Sequence, residues 1–203
     1  PGTSWFGEPP FELPRREIIE ADAGLTHRPS ATRYANRVFW ELLRFGLPLV
    51  PLLLVMAWFA VLEAAQPEVP LGALVFLVVP LLDLGFLVGL AVFGLCLKWA
   101  LLGRVRPGTH TLWSCWCSRW DFNYIAWHYV ALAPMQALEG TVVLNWYLRA
   151  LGVKVGRNVV VGDVFALVVD PDMLELQDGA TVSCLFQAHT FEDRVLKIDL
   201  SLI

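Results

Sequence analysis

The residues with the richest chemistry stand close together near the C-terminal end: Gln187, His189, Glu192, Asp193, Arg194 and Lys197. They gather an amide, an imidazole, two carboxylates, a guanidinium and an ammonium in one short stretch. A histidine in such company can take the proton from an attacking amine or hydroxyl, because imidazole titrates near neutrality. Glu192 or Asp193 can orient the ring or hold an acceptor amine. Arg194 and Lys197 suit an anionic group such as a carboxylate or a phosphate. By spacing alone, the same run also reads as a solvated polar turn.

The other candidate points are scattered. His128 and Glu139 fall on two different expected helices, so only tertiary packing can join them, and a satisfied polar pair is the plainer role. Asp83 is the single charge of a long apolar run. A carboxylate there is costly, and marks either an ion path or a hydrogen bond within the membrane segment. Cys115 and Cys117 are two apart, but no second Cys/His pair stands at a zinc-like spacing, and Cys96 and Cys184 are distant. No metal is expected, and the thiols read as small hydrophobes.

The element that must carry His189 announces itself after Gly152. Val155 and Val161 are six apart, each followed by a glycine, and Leu176 and Val182 repeat the spacing. An aliphatic residue every sixth position suits a parallel β-helix with three short faces per coil, aliphatics inward and small residues where the chain turns. Three hexads from Val155 lead to residue 173, yet the pattern resumes at Leu176, which implies a three-residue insertion near Asp170-Pro171-Asp172. From Leu176 the next coil is expected to resume at Leu196, with the extra residues around Phe186–Arg194. The candidate cluster is thus an excursion from the coil, where a side chain can leave the stack and meet a substrate.

Upstream the chain is strongly apolar. Of 203 residues 57% are apolar and 17% charged, with mean hydropathy +0.57, against about 45–50% and about 25% in soluble domains. A net charge of −4 leaves no basic footprint for nucleic acid. The excess is local. Phe45–Leu62 holds no charge and Leu71–Leu97 holds only Asp83, and about 20 apolar residues suffice to cross a bilayer. Pro48 and Pro51 are expected to kink the first span. Six arginines precede the spans, Lys98, Arg104, Arg106 and Arg119 follow, and the Glu63–Pro70 link has no Lys or Arg. The positive-inside rule then puts both ends in the cytoplasm. The chain divides into a cytoplasmic arm (1–37), whose helix starts at an Ser30 N-cap, a transmembrane hairpin (38–104), aromatic interfacial helices (105–152) and an incomplete coil domain (153–203). Trp99, Trp113, Trp116, Trp120 and Trp127 are expected in the headgroup layer, and helices over 118–133 and 135–151 are expected to flank Pro134. The chain opens at Pro1 without a signal-peptide pattern and stops inside a repeat, so it is expected to be a segment of a longer polypeptide.

Four phrases together carry a resemblance: Phe11-Glu12-Leu13-Pro14-Arg15-Arg16, Leu25-Thr26-His27-Arg28-Pro29-Ser30, Leu144-Asn145-Trp146-Tyr147-Leu148-Arg149 and Gln187-Ala188-His189-Thr190-Phe191-Glu192-Asp193-Arg194. They resemble the membrane-bound C-terminal region of non-ribosomal-peptide-synthetase-like enzymes of the ε-poly-L-lysine synthetase type. The soluble part is similar to left-handed β-helix, hexapeptide-repeat acyltransferases. The resemblance implies an α-helical membrane hairpin with interfacial helices followed by the start of a left-handed parallel β-helix. It implies an amide-forming acyltransferase of the inner bacterial membrane, its soluble domain on the cytoplasmic side, that joins aminoacyl thioesters to an amine. Adenylation and carrier domains of the same polypeptide would supply the substrate on phosphopantetheine, His189 would be the general base, and tandem copies would form a trimer-like assembly, or the protein a homo-oligomer, in contact with membrane lipid. The alternatives are a CoA-dependent hexapeptide-repeat acyltransferase on a small amine or sugar, and a non-catalytic anchoring or transport module, for which Asp83 would matter more than His189.

Overall fold

A computed structural model describes residues 21–162, 170–184 and 186–203, together with position 9 and the backbone of 5–6 and 11–12. Leu13–Arg16 of the arm, and positions 163–169 and 185 of the expected coil domain, lie outside the described residues. A small antiparallel ladder, β1 (Trp5–Phe6) with β2 (Phe11–Glu12), opens the chain. Asp22 caps the short α1 (Ala23–Thr26) by accepting from Gly24 N. Ser30 caps α2 (Ala31–Leu43) by accepting from Arg33 N, as the N-cap pattern predicts.

A 3-10 turn, Arg44–Gly46, passes the chain into α3 (Leu49–Ala65). Pro48 and Pro51 therefore stand at the start of the span and not within it. In the first turn a missing N–H leaves no helical bond unmade, so the prolines set the boundary instead of the expected kink. The second apolar stretch runs through α4 (Leu71–Ala73), a π-turn at Leu74–Val78 and α5 (Val79–Leu101). Pro80 offers no N–H to the turn before it, and the widened π-turn absorbs the gap. Both stretches are long and apolar enough to cross a membrane, and only 6% of each most apolar window is buried. Trp58 Nε1 donates to Asp83 Oδ1 at 3.0 Å, so the lone carboxylate of the span is bonded inside the hairpin.

The strand β3 (Gly108–Thr111) follows, within the stretch 105–152 expected to be helical. Ser114 then caps α6 (Cys115–Val130), accepting from Cys117 N at 3.1 Å. Next come α7 (Leu132–Ala137) and α8 (Val142–Leu151), the latter capped by Thr141. The break thus falls at Ala131 and at 138–141, and Pro134 is accommodated in the first turn of α7. Helix α6 lies along the end of α5: Phe122 and Ala126 meet Leu97 and Leu101, and Gly94 lets Val130 and Ala131 approach. The expected headgroup belt is only partly present. Trp120 and Trp127 are each 2% exposed and belong to the core, while Trp99 is exposed and donates to Ala150 O. Large aromatic area is more stabilising in a core than at a wet surface, provided the indole N–H finds a partner.

Gly152 ends α8 at φ +118, with Val153 N bonded back to Leu148 O. Beyond it the strands are short: β4 (Lys154–Val155), β5 (Val160–Val161), then a 3-10 turn at Pro171–Met173, β6 (Leu174–Leu176) and β7 (Thr181–Val182). Val155 pairs with Leu176 and Val161 with Val182, both in parallel. That register sets the paired rungs three residues further apart than three hexads, as the hexad count requires, with the 3-10 turn Pro171–Met173 leading into the second rung. Val161, Leu176 and Val182 are buried against α6 and α8.

The second register expectation fails. The excursion is a hairpin, β8 (His189–Glu192) and β9 (Val195–Ile198), and Leu196 belongs to it. The parallel stack resumes only with β10 (Ser201–Leu202), where Ser201 pairs with Leu174. A closed left-handed β-helix is not evident among the described residues. What they show is a parallel three-strand sheet (β10-β6-β4), a parallel pair (β5-β7) and an antiparallel sheet (β3-β9-β8).

Candidate functional site

The β8–β9 hairpin turns on Asp193 and Arg194, both in the left-handed region at φ 47 and 63. That is the geometry a two-residue hairpin loop needs to follow the strand twist. Its pleat then sorts the candidate residues. His189, Phe191, Leu196 and Ile198 share one face, and Thr190, Glu192 and Lys197 the other. The first face lies on α6, whose Trp116, Trp120 and Tyr124 recur every fourth residue and so line one stripe. His110 of β3 joins that contact, stacked on Trp116 with ring centroids 3.6 Å apart. Its removal from water lowers its pKa, which keeps it neutral there.

His189 is held from three sides. Its Nδ1 stands 2.5 Å from Asp170 Oδ2. Its ring meets Trp120 edge-on at 4.7 Å and Tyr124 at 6.2 Å. The His189 and Asp170 side chains are 9% and 1% exposed. Trp120 Nε1 donates to the other carboxylate oxygen, Asp170 Oδ1, at 2.8 Å. A carboxylate can only accept, so Nδ1 carries the proton of the short contact and Nε2 is left as the basic nitrogen. Asp170 in turn is held by the indole, which fixes the direction from which it meets the ring. The arrangement is an imidazole, a carboxylate that orients the ring and an indole N–H that orients the carboxylate.

The remaining candidates take other positions. Lys197 Nζ lies 2.8 Å from Glu192 Oε2 on the far face of the hairpin, so this pair is not beside the imidazole. Arg194 is exposed at the turn, its backbone oxygen accepting from Leu112 N and its guanidinium reaching Thr26 O at 3.5 Å. Asp193 shares the turn, and Gln187 is exposed just before β8. His128 bonds back to Tyr124 O and packs on that ring, an arrangement within α6 that does not include Glu139. Among the described residues, no group of three or more His, Cys, Asp or Glu has the form of a metal site.

Sequence reasoning missed Asp170, Trp120 and Tyr124. Asp170 did carry a signal, since the hexad count had already marked Asp170-Pro171-Asp172 as an insertion. Two acids around a proline in a departure from the coil are placed to reach another such departure. Trp120 and Tyr124 carried none, because their rings are indistinguishable in sequence from the other aromatics of the region.

The chain is 33% identical, over 208 aligned positions and 97% of its length, to the delta-poly-L-ornithine synthetase of Acinetobacter baumannii strain AB307-0294. It spans 15% of that protein's length. No protein-family model matches the chain, and no solved structure does. The chain is therefore related to one region of a poly-amino-acid synthetase.

Proposed function

We propose that this chain is the amide-forming acyltransferase region of a poly-amino-acid synthetase, with His189 as its general base. The observation that carries the reading is the buried Trp120–Asp170–His189 arrangement, in a chain related over nearly its whole length to such a synthetase. In this reading a carrier domain elsewhere in the polypeptide presents an aminoacyl thioester on its phosphopantetheine. The acceptor is an amine such as the side-chain amine of ornithine, the monomer named for the relative.

His189 Nε2 takes a proton from the acceptor nitrogen as that nitrogen attacks the thioester carbonyl carbon. The C–N bond forms, the C–S bond breaks, and the departing thiolate receives a proton from the imidazolium. Asp170 keeps the ring in the tautomer that leaves Nε2 free and stabilises the imidazolium that forms. The parallel pairs after Gly152 fit the opening rungs of a parallel coil, with His189 on the excursion from it. The apolar hairpin fits a membrane anchor. Arg28, Arg33, Arg37 and Arg44 before it, with Arg104 and Arg119 after, favour a cytoplasmic position for the site.

The test is a discharge assay on the complete polypeptide in detergent, its carrier loaded with radiolabelled ornithine. His189→Ala is expected to leave loading intact and to lower amide product by about 10²- to 10⁴-fold. Unchanged product would remove His189 from the bond-forming step and favour the anchoring or transport reading.

A further inference from the structure

Asp170 and Asp172 flank Pro171, and each leads to a different part of the molecule. Asp170 goes to Trp120 and His189. Asp172, its side chain 1% exposed, goes back to the membrane helix: Lys98 Nζ lies 2.6 Å from Asp172 Oδ2. The same oxygen accepts from Val105 N at 3.1 Å. Lys98 is one turn from the end of α5, its side chain fully buried, with its ammonium 3.6 Å from the centre of the Trp99 ring. Gly152 completes the enclosure. A Cβ there would stand 2.2 Å from Asp172 Oδ1 and 3.4 Å from Lys98 Nζ, so the end of α8 leaves room for this pair.

A buried ion pair adds little net stability over apolar side chains of the same volume. What charges add is a defined position, since their attraction is strongest at one close approach. Pro171 restricts the backbone between the two acids, and two residues span only about 7 Å. The place of the Asp170 carboxylate is therefore set by where Asp172 is anchored. We infer that Lys98 and Asp172 are positioning residues for the Asp170–His189 dyad, tying its register to the end of the membrane helix. The inference rests on the acyltransfer reading and adds a role for two residues that touch neither the acceptor nor the thioester.

The experiment uses the complete polypeptide in detergent, its carrier loaded with radiolabelled ornithine and free ornithine as acceptor. The double variant Lys98→Met/Asp172→Asn removes both charges, keeps side-chain volume and retains an acceptor for Val105 N–H. Its kcat is expected to fall by about 10- to 100-fold, as small misplacements of a reacting group do. The acceptor KM and carrier loading are expected to stay within about twofold. In an Asp170→Asn background the same double substitution is expected to change kcat by less than about twofold, because the dyad it acts through is already broken. An unchanged kcat in the otherwise wild-type protein would overturn the inference. So would an equal loss with and without Asp170→Asn, which is what a general loss of folded protein produces. If His189→Ala and Asp170→Asn leave product intact while the double variant lowers it, the dyad itself is wrongly assigned and the acyltransfer reading falls first.

Discussion

At the scale of single residues, environment separates groups that look alike in sequence. Among the described residues, His189 alone of the four histidines has a buried carboxylate on Nδ1 together with aromatic rings beside it, while the half-buried His110 has its pKa lowered by its partial removal from water. Trp120→Phe keeps the ring contact but removes the N–H that holds Asp170 Oδ1. It is expected to destabilise the protein by about 1.5–3 kcal/mol, the worth of a bond to a charged group, and to lower product formation with loading intact. Denaturant midpoints and the discharge assay read the two effects. Cysteines divide in the same way. Burial pushes the Cys117 thiol up to about 12, whereas Cys115, two residues away, is exposed. The stability from keeping Cys117 protonated is complete below the ordinary thiol range and is lost as pH rises toward about 12. At pH near 8, a maleimide is expected to label Cys115 in the native protein and Cys117 only after unfolding, as peptide mass mapping would show.

At the scale of elements, the caps were legible and the strands mostly were not. Ser30 and the glycine end of α8 follow from short-range rules that need no tertiary partner. Gly152 shows how a local rule can gain a second cause: its φ of +118 requires glycine, and so does the nearby Asp172 carboxylate. Gly152→Ala is expected to cost about 2–5 kcal/mol, adding left-handed strain to overpacking. Thermal unfolding in detergent is the measurement, and a loss below about 1 kcal/mol would contradict the reading. The strand β3, with sequence Gly108-Thr109-His110-Thr111, has no hydrophobic alternation to betray it and forms because β9 offers it an edge. The hairpin turn at Asp193-Arg194 lacks the Asn-Gly signature that would have revealed it. Without it, the expected repeat alone points Leu196 to the parallel coil, whereas it pairs in the hairpin.

At the scale of the whole molecule, the two long apolar helices and the folded end are not separable units. Helix α6 packs on the last turns of α5, Tyr147 donates to Ala91 O, and Lys98 is enclosed by Asp172. A fragment of residues 105–203 would expose the α6 face that meets Leu97 and Leu101, and leave Asp172 buried without its cation. Removing one partner of a buried pair costs about 3–5 kcal/mol, a large share of a domain's stability. The fragment is expected to be soluble only as an expanded or aggregated chain. Poor amide dispersion in its NMR spectrum and early elution in size exclusion would show this, and a dispersed, monomeric spectrum would refute it.

The sequence by itself determined what depends on local periodicity and on composition. The two apolar stretches, the hexad core at Val161, Leu176 and Val182 and the three extra residues between its rungs all follow from spacing and polarity. Tertiary structure alone decided which groups meet. Asp170 is nineteen residues from His189, Trp120 fifty from Asp170, and Lys98 lies farther still from its carboxylate. No local pattern encodes such meetings, because they depend on how a 27-residue return, a hairpin turn and a long apolar helix are packed in three dimensions. For the same reason Glu192 and Lys197, close to His189 in sequence, face away from it: in a strand, neighbours along the chain point to opposite sides.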